Sequence, residues 1–154
     1  MIWDKLEKSF IFARLEVESY QEIMSKMGGE LVKRGYAKES YIEALIKREE
    51  EFPTGLDVDG VGVAVPHTDV EYVKRAGIAI GILKRPVTFK MMATDDEFVD
   101  VRIVFMLAVV DPHKHLDQLQ RIFTMIQDKK FLEQLLTAKD TTEIIEVIRK
   151  KEQL

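Results

Sequence analysis

Histidine is the residue type through which this chain could do chemistry. The sequence contains three histidines, His67, His113 and His115, and no cysteine. Without cysteine, thiolate nucleophiles, disulfides and cysteine-based metal sites are excluded. No Gly-x-Ser-x-Gly elbow, Walker loop or Gly-x-Gly-x-x-Gly fingerprint occurs, so serine nucleophiles and nucleotide binding have no motif behind them. The residue types alone therefore indicate a candidate histidine site and no particular reaction.

His67 directly follows Pro66, at the close of a strand predicted over residues 61–65. Proline lacks the N–H that a strand ladder needs and has a fixed φ, so it should end the strand and restrict the backbone beside the histidine. We expect the imidazole to be presented at the edge of the sheet, where α/β folds place their sites. A lone histidine at a strand end is more often an ordinary surface residue, and that alternative stays open here.

His113 and His115 follow Asp111-Pro112, a pair typical of a helix start because it offers an N-cap acid and a proline at the first helical position. Free N–H groups and the positive end of the helix dipole meet at such a terminus, which makes it a ready phosphate site. A three-histidine zinc site is disfavoured, because helical residues two apart point about 200° away from each other. We expect no metal, and we interpret His113 as a solvated residue.

Arg48 lies near the end of a helix predicted over residues 38–50, beside an acidic run at residues 49–51. We expect those acids to be solvated and not to form a general acid/base pair. The default interpretation of Arg48 is likewise a solvated helical charge. A functional role for Arg48 requires that the turn predicted at residues 52–55 folds this helix end against His67.

The pattern of apolar residues predicts a single α/β domain over residues 1–154, an α/β sandwich with a central mixed sheet flanked by helices. Gly35 is a plausible stop for the first helix, and Gly28-Gly29 weakens that helix internally. The predicted strands cover residues 10–15, 61–65, 76–83 and 100–110. The predicted helices cover residues 19–34, 38–50, 111–127, 130–137 and 141–150.

Composition excludes several classes of function. The chain is 46% hydrophobic and 32% charged, with a net charge of -4 and a pI near 5.5. A weakly acidic domain with scattered cations has no electrostatic footprint for nucleic acid. The longest apolar stretch, residues 103–110, is too short to cross a bilayer, and residues 1–8 do not form a signal peptide. We therefore expect a cytoplasmic protein with no nucleic-acid partner and no direct membrane insertion.

Three segments carry a resemblance to a known family. They are ALIKREEEFPTGL at residues 44–56, GVAVPHT at residues 62–68, and VRIVFMLA at residues 101–108 followed by His115-Leu116 and Leu119. Their order and spacing resemble the IIA domains of the fructose–mannitol type in the bacterial sugar phosphotransferase system (PTS). The first segment is most similar to the galactitol-type branch of that family.

The resemblance implies a phosphotransferase component that needs no cofactor. His67 matches the histidine that accepts a phosphoryl group on Nε2 from the carrier HPr and passes it to a IIB domain, which acts with a membrane-embedded IIC. His115 matches the second active-site histidine, and Arg48 matches an arginine linked to phosphoryl handling. Thr68 occupies the position after the active histidine. The Nδ1–H of His67 then needs an acceptor, which we expect to be a backbone carbonyl.

Two functions fit the resemblance. The first is transport, in which the chain carries phosphate towards galactitol or a related polyol or sugar. The second is a regulatory module of the same fold, in which phosphorylation of His67 changes binding to another protein. An α/β fold whose histidines are unused is the generic third alternative.

Overall fold

One mixed sheet carries the strands of the computed structural model, which describes residues 7–94, 96–114 and 116–152. Its order is β1-β4-β5-β3-β2. The strands are β1 (Ile11–Leu15), β2 (Leu56–Val58), β3 (Val61–Ala64), β4 (Gly77–Lys90) and β5 (Phe98–Ala108). The pairs β1–β4 and β3–β5 are parallel, whereas β4–β5 and β2–β3 are antiparallel.

Helices cover both faces of the sheet. Those that precede β2 are α1 (Tyr20–Ile23), α2 (Gly29–Lys33) and α3 (Tyr41–Glu51), and those that follow β5 are α4 (Leu116–Ile126), α5 (Lys129–Thr137) and α6 (Thr141–Glu152). No helix in the described part of the chain is long and apolar enough to span a bilayer. The predicted α/β sandwich with a central mixed sheet is confirmed.

Strand β5 shows why the sheet takes helices on two sides. Its side chains alternate between two hydrophobic cores with the period of two that a strand imposes. Ile103, Phe105 and Leu107 join the core formed with α4–α6. Val104 and Met106 join the core formed with α1–α3. The continuous apolar run at the end of β5 is therefore buried on both faces.

The first predicted helix has the expected extent and an irregular centre. A π-helical turn at Met24–Gly28 joins α1 to α2. Gly28 lies against α3, since a Cβ built on it would be 3.0 Å from Leu45 Cδ1. Glycine therefore permits close helix packing here and costs some helix propensity. Gly35 ends the segment with φ of 81°, a conformation that glycine adopts without strain.

Several boundaries differ from the predicted ones for physical reasons. The sequence interpretation missed β2, a three-residue strand paired with β3 through the turn at Asp59 and Gly60, both with positive φ. Strand β4 continues beyond residue 83 to Lys90, and in this extension only Val87 and Phe89 are buried. Helix α3 begins at Tyr41 and not at residue 38. The cap of α6 is Asp140, whose Oδ1 accepts from the Glu143 N–H at 2.9 Å.

The segment before α4 corrects another expectation. Residues 112–114 form a turn, and the described helix begins at Leu116, so Pro112 is not its first residue. Asp111 still acts as a cap, because its Oδ1 accepts from the backbone N–H groups of His113 at 3.1 Å and Lys114 at 3.2 Å. The capping signal was interpreted correctly, but it closes a turn and not the first turn of a helix.

Candidate functional site

His67 is held by the backbone that follows β3. Its Nδ1 lies 2.8 Å from the carbonyl oxygen of Val65. A carbonyl can only accept, so Nδ1 carries the proton and Nε2 keeps its lone pair in the neutral ring. The peptide between them is fixed as well, because Leu107 N–H donates to the Pro66 carbonyl at 2.9 Å. The half-buried imidazole thus has one tautomer favoured by geometry, with the backbone acceptor that the sequence analysis expected.

A cavity of about 390 Å³ opens beside this imidazole. It joins the end of β3, the end of β5 and one side of α4. Its polar lining comes from Arg48, His67, Thr68 and Asp69, and its apolar lining comes from Val70, Leu107, Val109, Pro112, Leu119 and Phe123. The predicted strand end and the segment around the start of α4 therefore share one cavity.

Arg48 reaches this cavity from the end of α3. Its Nη1 forms an ion pair with Asp69 Oδ1 at 3.0 Å, and its guanidinium carbon lies 4.6 Å from the centre of the Phe52 ring. Its Nε is buried, with no hydrogen-bond partner among the described residues. The turn after α3 therefore does fold the helix end against the His67 segment, and the interpretation of Arg48 as a merely solvated charge is wrong.

Thr68 and His113 take different positions. Thr68 is buried in the cavity wall, and its Oγ1 donates to the Asp69 carbonyl at 2.9 Å. The hydroxyl proton is therefore already engaged. His113 is exposed and is not among the described residues that line the cavity, in agreement with its interpretation as solvated. His115 lies outside the described residues, so its role stays a prediction.

The sequence interpretation missed a buried acid. Glu49 was expected to be solvated, but it is only 5% exposed. Its Oε1 accepts from Thr54 N–H at 2.8 Å, and the Thr54 hydroxyl lies 2.9 Å from its Oε2. The same hydroxyl oxygen accepts from Val65 N–H at 3.2 Å. A signal was available, since Tyr41, Leu45 and Glu49 repeat every four residues on the buried side of α3.

Metal binding finds no support in the described part of the chain. Those residues contain no group of three histidine, aspartate or glutamate side chains placed to hold an ion. The polar side chains around the cavity are the His67 imidazole, the Arg48 guanidinium with its partner Asp69, and the Thr68 hydroxyl. The guanidinium and the imidazole suit an anionic ligand such as a phosphoryl group.

The described residues place His67 beside a cavity lined by an arginine–aspartate pair and apolar side chains, and comparison with known proteins assigns the class. The chain belongs to the family described as "Phosphoenolpyruvate-dependent sugar phosphotransferase system, EIIA 2", whose model matches residues 4–151. It is therefore a IIA component of a sugar phosphotransferase system.

Individual relatives refine the comparison. The galactitol-specific EIIA component of Escherichia coli is 30% identical over 132 residues, which cover 86% of this chain and 87% of that protein. In the solved complex of the E. coli mannitol enzyme IIA with phosphorylated IIB, the matching chain has a TM-score of 0.76, 25% identity and coverage of 95% and 98%. The nitrogen regulatory protein IIA-Ntr of Neisseria meningitidis has a TM-score of 0.77, 28% identity and coverage of 96% and 98%.

Glu49 also predicts how stability depends on pH. Burial raises the pKa of the Glu49 carboxyl above its ordinary value, and the hydrogen bonds from Thr54 oppose that rise. A raised pKa in the folded state means that this carboxyl's favourable contribution is present below the ordinary glutamate pKa and is lost as pH rises through the raised pKa. We therefore expect wild type to lose stability relative to Glu49→Gln as pH rises from the acid range to neutrality.

Urea denaturation of both proteins across that pH range measures the difference in free energy of unfolding. Glu43→Gln, at an exposed position of the same helix, is the matched control and should show no such trend. If the difference in free energy of unfolding between wild type and Glu49→Gln does not change with pH, or changes in favour of wild type as pH rises, the raised pKa of Glu49 is contradicted.

Proposed function

We propose that this IIA component is a phosphocarrier that accepts a phosphoryl group from phosphorylated HPr on Nε2 of His67 and passes it to a IIB protein. The observation that carries the proposal is the hydrogen bond from His67 Nδ1 to the Val65 carbonyl. Because that bond commits Nδ1, Nε2 is the nitrogen with a lone pair available for phosphorus. The chain then works in the cytoplasm, with IIC in the membrane complex.

The chemical step needs placement more than covalent help from the protein. The Nε2 lone pair forms a bond to phosphorus as the bond between phosphorus and the donor's histidine breaks. The donor imidazole leaves with that electron pair, and His67 keeps its Nδ1 proton. In the second step the acceptor group of IIB bonds to phosphorus as the bond between phosphorus and His67 Nε2 breaks, and Nε2 regains its lone pair. The overall transfer is thereby divided into two steps with separate partners.

Arg48 supports the negative charge that arrives with the phosphoryl group. Its present ion pair with Asp69 is half exposed and therefore weak. Its Nε has no partner among the described residues, so one buried donor is available without breaking a bond. We propose that Arg48 turns its donors from Asp69 towards the phosphoryl oxygens, and that Thr68 closes the same wall. His115 is proposed as the second histidine on the family resemblance alone.

The surface around the cavity suits a brief protein contact. Exposed apolar side chains lie at the site: Val70 lines the cavity and Phe52 packs against Arg48. Val110 and Leu116, which are also exposed, lie close in sequence to the lining residues Val109 and Pro112. Such a patch, with Arg48 and Asp69 beside it, fits a small interface of the kind formed by transient partners. The mannitol relative was solved in complex with phosphorylated IIB, which supports a IIB partner here.

The substrate and the physiological role are further parts of the proposal. The 30% identity to a galactitol-specific component favours galactitol or a related polyol or sugar as the final acceptor. The similarity to IIA-Ntr keeps a regulatory module as the second candidate function. Transfer to a cognate IIB separates the two, since a purely regulatory module would transfer to none.

Substitution of the two histidines tests the assignment. We expect His67→Ala to abolish labelling by phosphorylated HPr, because the substitution removes the Nε2 that is proposed to bond to phosphorus. His115→Ala should still accept phosphate but transfer it more slowly. Intact-protein mass spectrometry measures both, with His113→Ala as the control that labels normally. Full labelling of His67→Ala would refute the assignment.

Substitution of Arg48 tests its role in charge stabilisation. A hydrogen bond to a charged group contributes about 1.5–3 kcal/mol net, so Arg48→Ala should slow phosphoryl acceptance roughly ten- to a hundredfold. Rapid-quench rates measure the effect. Arg149→Ala, which removes an exposed arginine from α6, is the control. An unchanged rate for Arg48→Ala would remove Arg48 from the mechanism.

A further inference from the structure

We propose that Glu49 and Thr54 are positioning residues for His67, acting through the backbone of Val65. The inference rests on the proposed phosphocarrier function and adds two residues to it. Neither side chain contacts the imidazole. Thr54 holds the N–H of the residue whose carbonyl accepts the Nδ1 proton, and Glu49 orients Thr54. Together they influence which nitrogen of His67 is left for phosphorus.

The network is a chain of short polar contacts from α3 to the imidazole. Glu49 accepts from the Thr54 amide at 2.8 Å and from its hydroxyl at 3.0 and 2.9 Å. The Thr54 hydroxyl oxygen in turn accepts from Val65 N–H at 3.2 Å. Val65 then accepts from His67 Nδ1 at 2.8 Å through its carbonyl. Glu49 therefore orients the hydroxyl, the hydroxyl holds the Val65 N–H, and the carbonyl of the same residue holds the ring.

The contact with Val65 distinguishes this network from a simple cap on α3. Val65 lies one residue beyond the end of β3, where the strand pairing has stopped, and it is fully buried. A buried backbone N–H must find a partner, and here the partner is a side chain eleven positions earlier in the chain. A cap on α3 would need only the contact between Glu49 and the Thr54 amide. The second contact is directed at the active segment.

Neighbouring bonds complete the restraint on residues 65–67. The Pro66 carbonyl accepts from Leu107 on β5. The Val65 amide is held by Thr54, and the Val65 carbonyl meets the imidazole. Removal of the Thr54 hydroxyl would leave one end of this short segment without its restraint, while β5 still held the other.

The last turn of α3 serves the site in two directions. Consecutive helical residues point about 100° apart, so Arg48 and Glu49 cannot face the same surroundings. Arg48 lines the cavity with His67, whereas Glu49 is buried against Thr54. One helix end thus places both the cation for the phosphoryl oxygens and the carboxyl that orients the supporting hydroxyl.

A threonine series tests the proposal. Thr54→Val keeps the shape and removes the hydroxyl, whereas Thr54→Ser keeps the hydroxyl. Thr142→Val, at an exposed position on α6, is the matched control. Two readouts are measured on the full chain: the single-turnover rate of phosphoryl acceptance from phosphorylated HPr, and the imidazole nitrogen spectrum of unphosphorylated His67, which reports the tautomer.

We expect Thr54→Val to slow acceptance by about ten- to a hundredfold, because small misplacements of a reacting group have effects of that size. Its imidazole spectrum should move from the Nδ1–H form towards a mixture of tautomers. Thr54→Ser should restore most of the rate and the wild-type spectrum. Glu49→Gln should show a smaller change of the same kind, because its amide offers Thr54 only one oxygen acceptor.

The outcomes separate this inference from the proposed function. A folded Thr54→Val with wild-type rate and wild-type spectrum would overturn the positioning role, as would a slow variant whose spectrum is unchanged. If Thr54→Val does not fold, Glu49→Gln and Thr54→Ser decide by the same two readouts. If phosphorylated HPr does not label the wild-type chain, the phosphocarrier function is refuted. The tautomer shift of Thr54→Val could still be measured, because that readout uses the unphosphorylated protein.

Discussion

The hydrogen bond between His67 Nδ1 and the Val65 carbonyl is the constraint on which the rest of the site depends. It decides which nitrogen of the half-buried imidazole holds a proton and which holds a lone pair, and the proposed phosphoryl transfer uses that lone pair. A carbonyl acceptor adds no charge beside an incoming phosphoryl group, as a carboxylate would. The remaining structure keeps that carbonyl in place and brings Arg48 and apolar side chains to the cavity beside the ring.

Sheet topology makes this assembly possible. Strands β3 and β5 are parallel neighbours, so their carboxyl ends meet at one edge of the sheet. His67 follows the first of these ends, and the segment leading to α4 follows the second. Helix α3 delivers Arg48 to the same edge, and Tyr41 ties that helix to β5 by donating from its hydroxyl to the Leu107 carbonyl at 2.9 Å. Elements distant in sequence thus converge on a cavity bounded by packed cores.

Sequence reasoning predicted the fold class and the position of His67 at a strand end because both depend on local signals. Buried strands are visible as apolar runs, and Pro66 marks the end of β3 where His67 begins. Contacts between distant segments were harder to predict. The sequence around Arg48 gives no sign of its ion pair with Asp69, which is 21 residues away. Glu49 resembled a solvated acid because the Thr54 N–H reaches it only when the turn after α3 has formed. The four-residue repeat ending at Glu49 and the Asp59-Gly60 hairpin signal were available and were not used.

The identity of the phosphorylated nitrogen tests the account most directly. Wild-type protein labelled with nitrogen-15 histidine can be phosphorylated with phosphorylated HPr, and the imidazole spectrum then shows which nitrogen bears phosphorus. The account predicts phosphorus on Nε2 of His67 with the proton retained on Nδ1. Phosphorus on Nδ1, or on a different histidine, would contradict it.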